Sequence, residues 1–246
     1  WTVTGISIDS RKVSKGDLFI ALKGPNFDGQ KFAQAALDAG AHAVMVSDAN
    51  GIDDTHKVLL VDDTMAALER LGIAGRERSK AKIVAITGTK EALKYVLSQQ
   101  GKTHASPASF NNHWGVPITL ATLPVDTEFG VFEIGMNHPG EISTLVKMVK
   151  PSVALITTVV GAHTEFFKDE AEIAMAKAEI FEGLDSDGTV ILNRDNLHYF
   201  ALARRAKELG LSNIKCFGTD AVSNYRLFEA NIVTDGSAVR ARVGGK

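Results

Sequence analysis

Ile83-Val84-Ala85-Ile86-Thr87-Gly88-Thr89-Lys90-Glu91-Ala92-Leu93-Lys94-Tyr95-Val96-Leu97 is the stretch on which the fold turns. An apolar run suited to a fully buried strand passes through Gly88 directly into an amphipathic helix, with Ala92, Tyr95 or Val96, and Ser98 or Gln99 marking its turns. Strand-loop-helix units of this kind hold phosphates, because a helix start offers free backbone N–H groups and a positive dipole end. A phosphate-cradling loop, however, needs four residues between its glycines and then Gly-Lys-Ser/Thr. Only Gly88, Thr89 and Lys90 are present. Two readings compete: a tight βα turn in a phosphate-free sheet, or a phosphate loop lacking several residues.

The rest of the chain widens the reading. Its 246 residues can bury a sizeable core, and 45% hydrophobic with 23% charged residues is ordinary for a soluble globular protein. Twenty-seven Lys and Arg against 29 acids give a net charge of −2, with no electrostatic case for nucleic acid or an anionic membrane. There is no 18-residue apolar run and no signal-peptide pattern, so a cytoplasmic protein without stable membrane insertion is expected. The single Cys216, in Lys215-Cys216-Phe217, reads as a small buried hydrophobe.

Residues 1–80 are predicted to form a first domain. Strands over 2–8 and 16–22 flank a polar turn, a loop dense in turn residues ends at Gly29, and a helix over 30–39 carries Phe32, Ala35, Ala36 and Ala39 on one side. Strands over 42–46 and 58–61 follow, and Asp62-Asp63-Thr64 signals the start of a helix over 65–78. Residues 81–246 alternate strand and helix, which predicts a mostly parallel sheet covered on both faces. Helices are expected over 141–149, 169–184 and 196–209, and strands over 130–135, 153–160, 189–192 and 214–217. A hairpin around Asp235-Gly236 is expected to close the segment.

Several polar residues fall at the carboxyl ends of these strands, where such sheets place ligands. Glu133 interrupts an apolar strand near its end, as a structural carboxylate or as a metal ligand. His163 follows the next strand directly, as a surface residue or a ligand. Lys177 lies four residues after Ile173 and three before Ile180, on the apolar side of its helix. It is either a snorkelling stem paired to an acid such as Glu133, or an amine whose pKa falls on burial and which can capture carbon dioxide as a carbamate. Residues 103–117 are too polar and too punctuated for a strand or helix core, and present Asn111, Asn112 and Trp114 as a ligand-facing loop.

Together, Ser109-Phe110-Asn111-Asn112-x-x-Gly115-x-Pro117, Phe132-Glu133-Ile134-Gly135-Met136-Asn137, Gly161-Ala162-His163, Ala176-Lys177-Ala178-Glu179-Ile180-Phe181 and Leu192-Asn193-x-Asp195 resemble the Mur ligases of bacterial cell-wall synthesis. Asp9-Ser10-Arg11, the run from Gly16 to Gly24 and Phe27-Asp28-Gly29 resemble that family's N-terminal domain. The resemblance implies an α/β protein: a small N-terminal α/β domain that binds uridine diphosphate, then a mostly parallel-sheet, P-loop-type ATPase domain. The family's C-terminal Rossmann-like domain is absent from the sequence. It also implies ATP and Mg2+ as cofactors, an acyl phosphate formed on a UDP-N-acetylmuramoyl-tripeptide, and its displacement by the amine of D-alanyl-D-alanine. By the same resemblance Glu133, His163 and a carbamylated Lys177 serve magnesium and the chemistry. Gly88, Thr89 and Asn193 hold the nucleotide, and Ser10, Arg11, Asp28, Asn111 and Asn112 hold the substrate. A monomer is expected. Within enzymes the alternative is a sister ligase that adds a single amino acid. The sequence departs from the family where T-G-x-x-G-K-T is shortened to Thr87-Gly88-Thr89-Lys90, and this keeps open a non-catalytic module that binds UDP-muramoyl peptides.

Overall fold

A computed structural model describes residues 2–161, 166–234 and 236–244. Its contacts divide the chain into two compact units: Trp1–Arg78 with Pro117–Pro124, and Ser79–Val116 with Val125–Lys246.

The first unit holds a four-stranded parallel sheet of β1 (Gly5–Ser7), β2 (Asp17–Ile20), β5 (Ala43–Val46) and β6 (Val58–Leu60), in the order β1-β2-β5-β6. A short antiparallel pair, β3 (Lys23–Gly24) and β4 (Phe27–Asp28), leads to a 3-10 turn at Gly29–Phe32 and then α1 (Ala33–Asp38). The tight turn shifts the register expected for this helix. Ala33 and Ala36 face the core with Phe19, Ala21, Val44 and Val46, while Phe32 is about half exposed. In α2 (Thr64–Glu77) the Asp63 carboxylate accepts from the Met65 and Ala66 N–H groups, as the acidic signal before this helix predicts. The Thr64 hydroxyl donates to the Ala21 carbonyl at 3.0 Å, which ties the helix start to the sheet.

Residues 117–124 join this unit, although the sequence reading assigned them to the second domain. The cause lies in α2: Gly72 and Gly75 have no Cβ, and the backbone of Pro117, Leu120 and Ala121 comes up against them. Arg78 then donates to the carbonyls of Ala121 (3.2 Å) and Leu123 (2.9 Å).

The second unit is an eight-stranded sheet of β7 (Lys82–Thr87), β8 (Thr103–Ala105), β9 (Phe129–Glu133), β10 (Val153–Ile156), β11 (Thr189–Asn193), β12 (Asn213–Gly218), β13 (Tyr225–Val233) and β14 (Gly236–Val243). The order is β14-β13-β12-β11-β10-β7-β9-β8, and only the β13–β14 pairing is antiparallel. Its helices are α3 (Lys90–Ser98), α5 (Glu141–Val149), α6 (Glu170–Ala178) and α7 (Tyr199–Glu208). Between α3 and α5 lies α4 (Gly115–Ala121), which carries Pro117 in its first turn, where no N–H partner is lost. From β7 the chain turns to the β8 edge, whereas from β10 it proceeds to β11 on the other side. The connections that leave their carboxyl ends run to opposite sides, and the crevice opens between them there.

Four sequence expectations are corrected. The inward residues of α3 are Lys90, Leu93 and Leu97, while Tyr95 and Val96 are mostly exposed. Thr103–Ala105, read as loop, pairs with β9 as the edge strand. The strand read over 153–160 ends at Ile156. The helix read over 169–184 stops at Ala178 and tightens into a 3-10 turn, Glu179–Gly183. There the Glu179 carboxylate reaches across to accept from the N–H groups of Gly140 (2.6 Å) and Ser143 (3.0 Å), and so caps α5 in place of a local side chain. Gly183 accompanies it, because a Cβ there would lie 2.6 Å from the Val146 carbonyl oxygen.

Candidate active site

The crevice at the ends of β7, β9 and β10 holds a cavity of about 280 Å³. Its floor is a row of threonines. The Thr157 hydroxyl donates to the Thr87 carbonyl at 2.8 Å, whereas the Thr87 hydroxyl is buried and has no partner. Gly88 and Thr89 both adopt the left-handed region, at φ +94° and +63°, so the chain turns within two residues and enters α3 at Lys90. A Cβ on Gly88 would meet Thr157 Oγ1 at 3.0 Å.

Glu133, at the end of β9, and Lys177, on α6, both line the cavity. Burial pushes the Lys177 amine below the usual lysine range, and the nearby Glu133 charge partly opposes the shift. Asn111 lines the same space. Its carbonyl accepts the Gly135 N–H at 2.9 Å, and its amide lies where a side chain on residue 135 would stand, 2.9 Å from the Cβ position. Asn112 does different work: its Oδ1 accepts from the Gly115 N–H at 2.9 Å, beside the T-shaped pair of Phe110 and Trp114.

Lys90, which the sequence reading left without a role, is 4% exposed. Its ammonium donates to the Ser106 carbonyl at 2.8 Å and to the Ala108 carbonyl, and lies 3.3 Å from Glu91 Oε1 and 3.9 Å from Glu133 Oε2.

Asn193 ends β11 next door. Its amide donates to the Thr157 carbonyl (3.0 Å) and its oxygen accepts from the Asp195 N–H (2.9 Å). It borders a second cavity of about 310 Å³ shared with Asp195, Gly218, Thr219 and Arg226. Asp195 accepts from the N–H groups of Thr219 and Asp220 and from the Thr219 hydroxyl, led by the Thr219 N–H, and this holds its carboxyl below the usual range. His163 lies outside the described residues.

In the first unit, Ser10 opens the turn after β1, and Asp9 caps that turn. Asp9 also binds the Arg11 guanidinium through Nε and Nη2, both at 2.9 Å, and this hydrogen-bonded cation holds the Asp9 carboxyl down at about 2. Asp28 accepts from the Gln30 N–H at 3.0 Å and caps the turn before α1.

Two family models match the chain, one described as the Mur ligase middle domain over residues 86–243 and one as the Mur ligase family, catalytic domain over residues 2–100. The chain belongs to the Mur ligase family. It is 43% identical over 228 residues to the UDP-N-acetylmuramoyl-tripeptide--D-alanyl-D-alanine ligase of Rickettsia prowazekii, which covers 90% of this chain and 51% of that one. The enzyme of that name from Escherichia coli is 40% identical over 201 residues, covering 79% and 44%. Among solved structures, MurF from Acinetobacter baumannii superposes with a TM-score of 0.84 at 30% identity, covering 98% of this chain and 53% of that one. The chain spans about half the length of the curated relatives it matches.

As a Mur ligase, the chain places a carboxylate, a desolvated lysine and an amide around one crevice. Its residues nevertheless do not fit a magnesium–triphosphate group as arranged. The connection Thr87–Lys90 is too short to curl successive N–H groups around phosphates, and the carboxylate that would face the ion already faces a buried ammonium. Among the described residues no cluster of three or more His, Cys, Asp or Glu is placed to hold a metal, and no helix is long and apolar enough to cross a membrane.

Proposed function

We propose that the protein is an ATP-dependent ligase of peptidoglycan precursor synthesis in the cytoplasm, which joins D-alanyl-D-alanine to UDP-N-acetylmuramoyl-tripeptide. The observation that carries this reading is the similarity to ligases of that name, over 90% of this chain in one relative and 79% in another. The site agrees in its chemistry. Glu133 and Lys177 share one cavity with Asn111, at the carboxyl ends of the strands where such folds bind ligands.

In this reading the first unit forms the uridine-diphosphate domain, with Ser10, Arg11 and Asp28 as contacts. Arg11 would exchange the Asp9 carboxylate for diphosphate oxygens, which its planar fork matches. Asn111 and Asn112 would border the peptide. Gly88, Thr89 and Asn193 would face the nucleotide, and Glu133, His163 and Lys177 would face magnesium. Burial makes the neutral Lys177 amine more accessible, and that amine can add to carbon dioxide and release a proton, leaving a carbamate anion.

The test is phosphate release from ATP in the presence of UDP-muramoyl-tripeptide, with D-alanyl-D-alanine compared against single amino acids as acceptor. Release that depends on the dipeptide is expected; release driven by one amino acid would identify a sister ligase. The shortened Thr87–Lys90 connection favours a second reading, a module that holds the UDP-linked peptide without turning ATP over. Substrate binding with no phosphate release would support that module.

A further inference from the structure

The ammonium of Lys90 sits inside a shell of oxygens. It donates to the Ser106 and Ala108 carbonyls, and its charge also faces Glu91 Oε1 at 3.3 Å and Glu133 Oε2 at 3.9 Å. Backbone bends on both sides aim these groups. Thr89 immediately before Lys90, and Ala108 across from it, take the left-handed conformation at φ +63° and +43°, which residues with a Cβ rarely adopt and which clusters where structure is held for a purpose. Ser106 is 1% exposed and its hydroxyl is buried without a partner beside the same shell. Two carbonyl and two carboxylate oxygens converging on one point are the ligand types that hard cations such as Mg2+ take.

We propose that Lys90 is a tethered cation whose ammonium fills an oxygen cage formed by Ser106, Ala108, Glu91 and Glu133, so that a divalent ion reaches Glu133 only by displacing it. The inference builds on the reading of Glu133 as the metal-facing carboxylate of a ligase. In that reading the shortened loop, by starting α3 at residue 90, has delivered a lysine to the cation position. An ammonium and a divalent ion cannot share the cage, since the like charges would stand within a few ångströms around a buried ammonium, although Glu91 on its rim is mostly exposed.

The test titrates the purified protein with Mn2+, following water-proton relaxation, in wild type, Lys90→Met, Lys90→Gln, Glu133→Gln and the Lys90→Met/Glu133→Gln double variant. Wild type is expected to bind weakly. Removing the ammonium should tighten Mn2+ binding about tenfold or more, a modest fraction of what the Coulomb interaction at this distance allows. The double variant should lose that gain. Lys90→Gln gives a second neutral side chain should methionine disturb the fold. Tight wild-type binding that Glu133→Gln abolishes would overturn the proposal, as would neutral variants no tighter than wild type. Ligation is scored separately. Absence of ligation with the expected Mn2+ pattern would remove the ligase reading and leave the tethered cation standing, while ligation with equal Mn2+ affinity in wild type and Lys90→Met would do the reverse.

Discussion

Replacing Gly75 with alanine would put a methyl carbon 2.2 Å from the Leu120 carbonyl oxygen, 2.9 Å from its carbon and 3.1 Å from Ala121 Cα. Comfortable separation is about 3.5 Å, so the two backbones must part by roughly 1 Å. No side chain can swing away, because every obstructing atom is backbone. The start of α2 cannot slide freely either, since Asp63 caps it and Thr64 anchors it to Ala21. Overpacking of this kind costs about 1–3 kcal/mol, and the parted chains would also stretch the Arg78 bonds to Ala121 and Leu123, worth about 1 kcal/mol each. Alanine recovers about 1 kcal/mol of helix propensity over glycine. The net expectation is a loss of about 2 kcal/mol in the first unit. Gly72→Ala serves as the control: its Cβ would lie 3.0 Å from Pro117 Cα and carbonyl oxygen, an overlap of a few tenths of an ångström, and a change within about 1 kcal/mol is expected. Native-state hydrogen exchange of α2 amides measures both variants unit by unit, which avoids assuming a single transition for the whole chain. A Gly75→Ala variant as well protected as Gly72→Ala would refute the backbone-contact reasoning.

Further expectations concern the site. Gly135→Ala would press on the Asn111 amide, a movable side chain, so stability should change by less than about 1 kcal/mol while the KM for the UDP-linked peptide rises in steady-state assays. Lys177→Met removes a desolvated ammonium; chemical denaturation at neutral pH should show unchanged or slightly greater stability, within about 1 kcal/mol, while phosphate release is lost. Because folding lowers the Lys177 pKa, the folded state binds fewer protons between the folded and unfolded values, and stability rises with pH across that window. Titrating denaturation midpoints up to about pH 10.4 should therefore show wild type gaining on Lys177→Met. Asp195, whose folded pKa is likewise lowered, gives the same direction in acid. Its stabilisation is present above the unfolded carboxylate pKa and disappears as pH falls through the lowered folded value, so Asp195→Asn should cost about 1 kcal/mol at neutral pH, after solvent screening, and nothing in strong acid.

How much of this was legible depended on whether a feature is local. α5 ends where the sequence places it because Gly140 and Pro151 punctuate a run whose Ile142, Leu145, Val146 and Val149 share one buried face. Glu133 and Lys177 stood out as charges on apolar surfaces, and both line the cavity. The early end of α6 depends on Glu179 reaching α5, some forty residues away in the chain, and no periodicity records that contact. β8 has a polar Thr-His-Ala sequence and becomes a strand only through pairing with β9. Residues 117–124 join the first unit through two helix glycines that look like ordinary weak spots in α2. Lys90 was written in the opening stretch, yet its role rests on carbonyls 16 and 18 residues further along the chain.

The most direct test of the central claim is ATP-dependent phosphate release by the purified protein with UDP-N-acetylmuramoyl-tripeptide and D-alanyl-D-alanine, with the product followed by mass. The proposed ligase releases one phosphate for each amide formed and requires the dipeptide. Bound UDP-linked peptide with neither phosphate nor amide produced would contradict it.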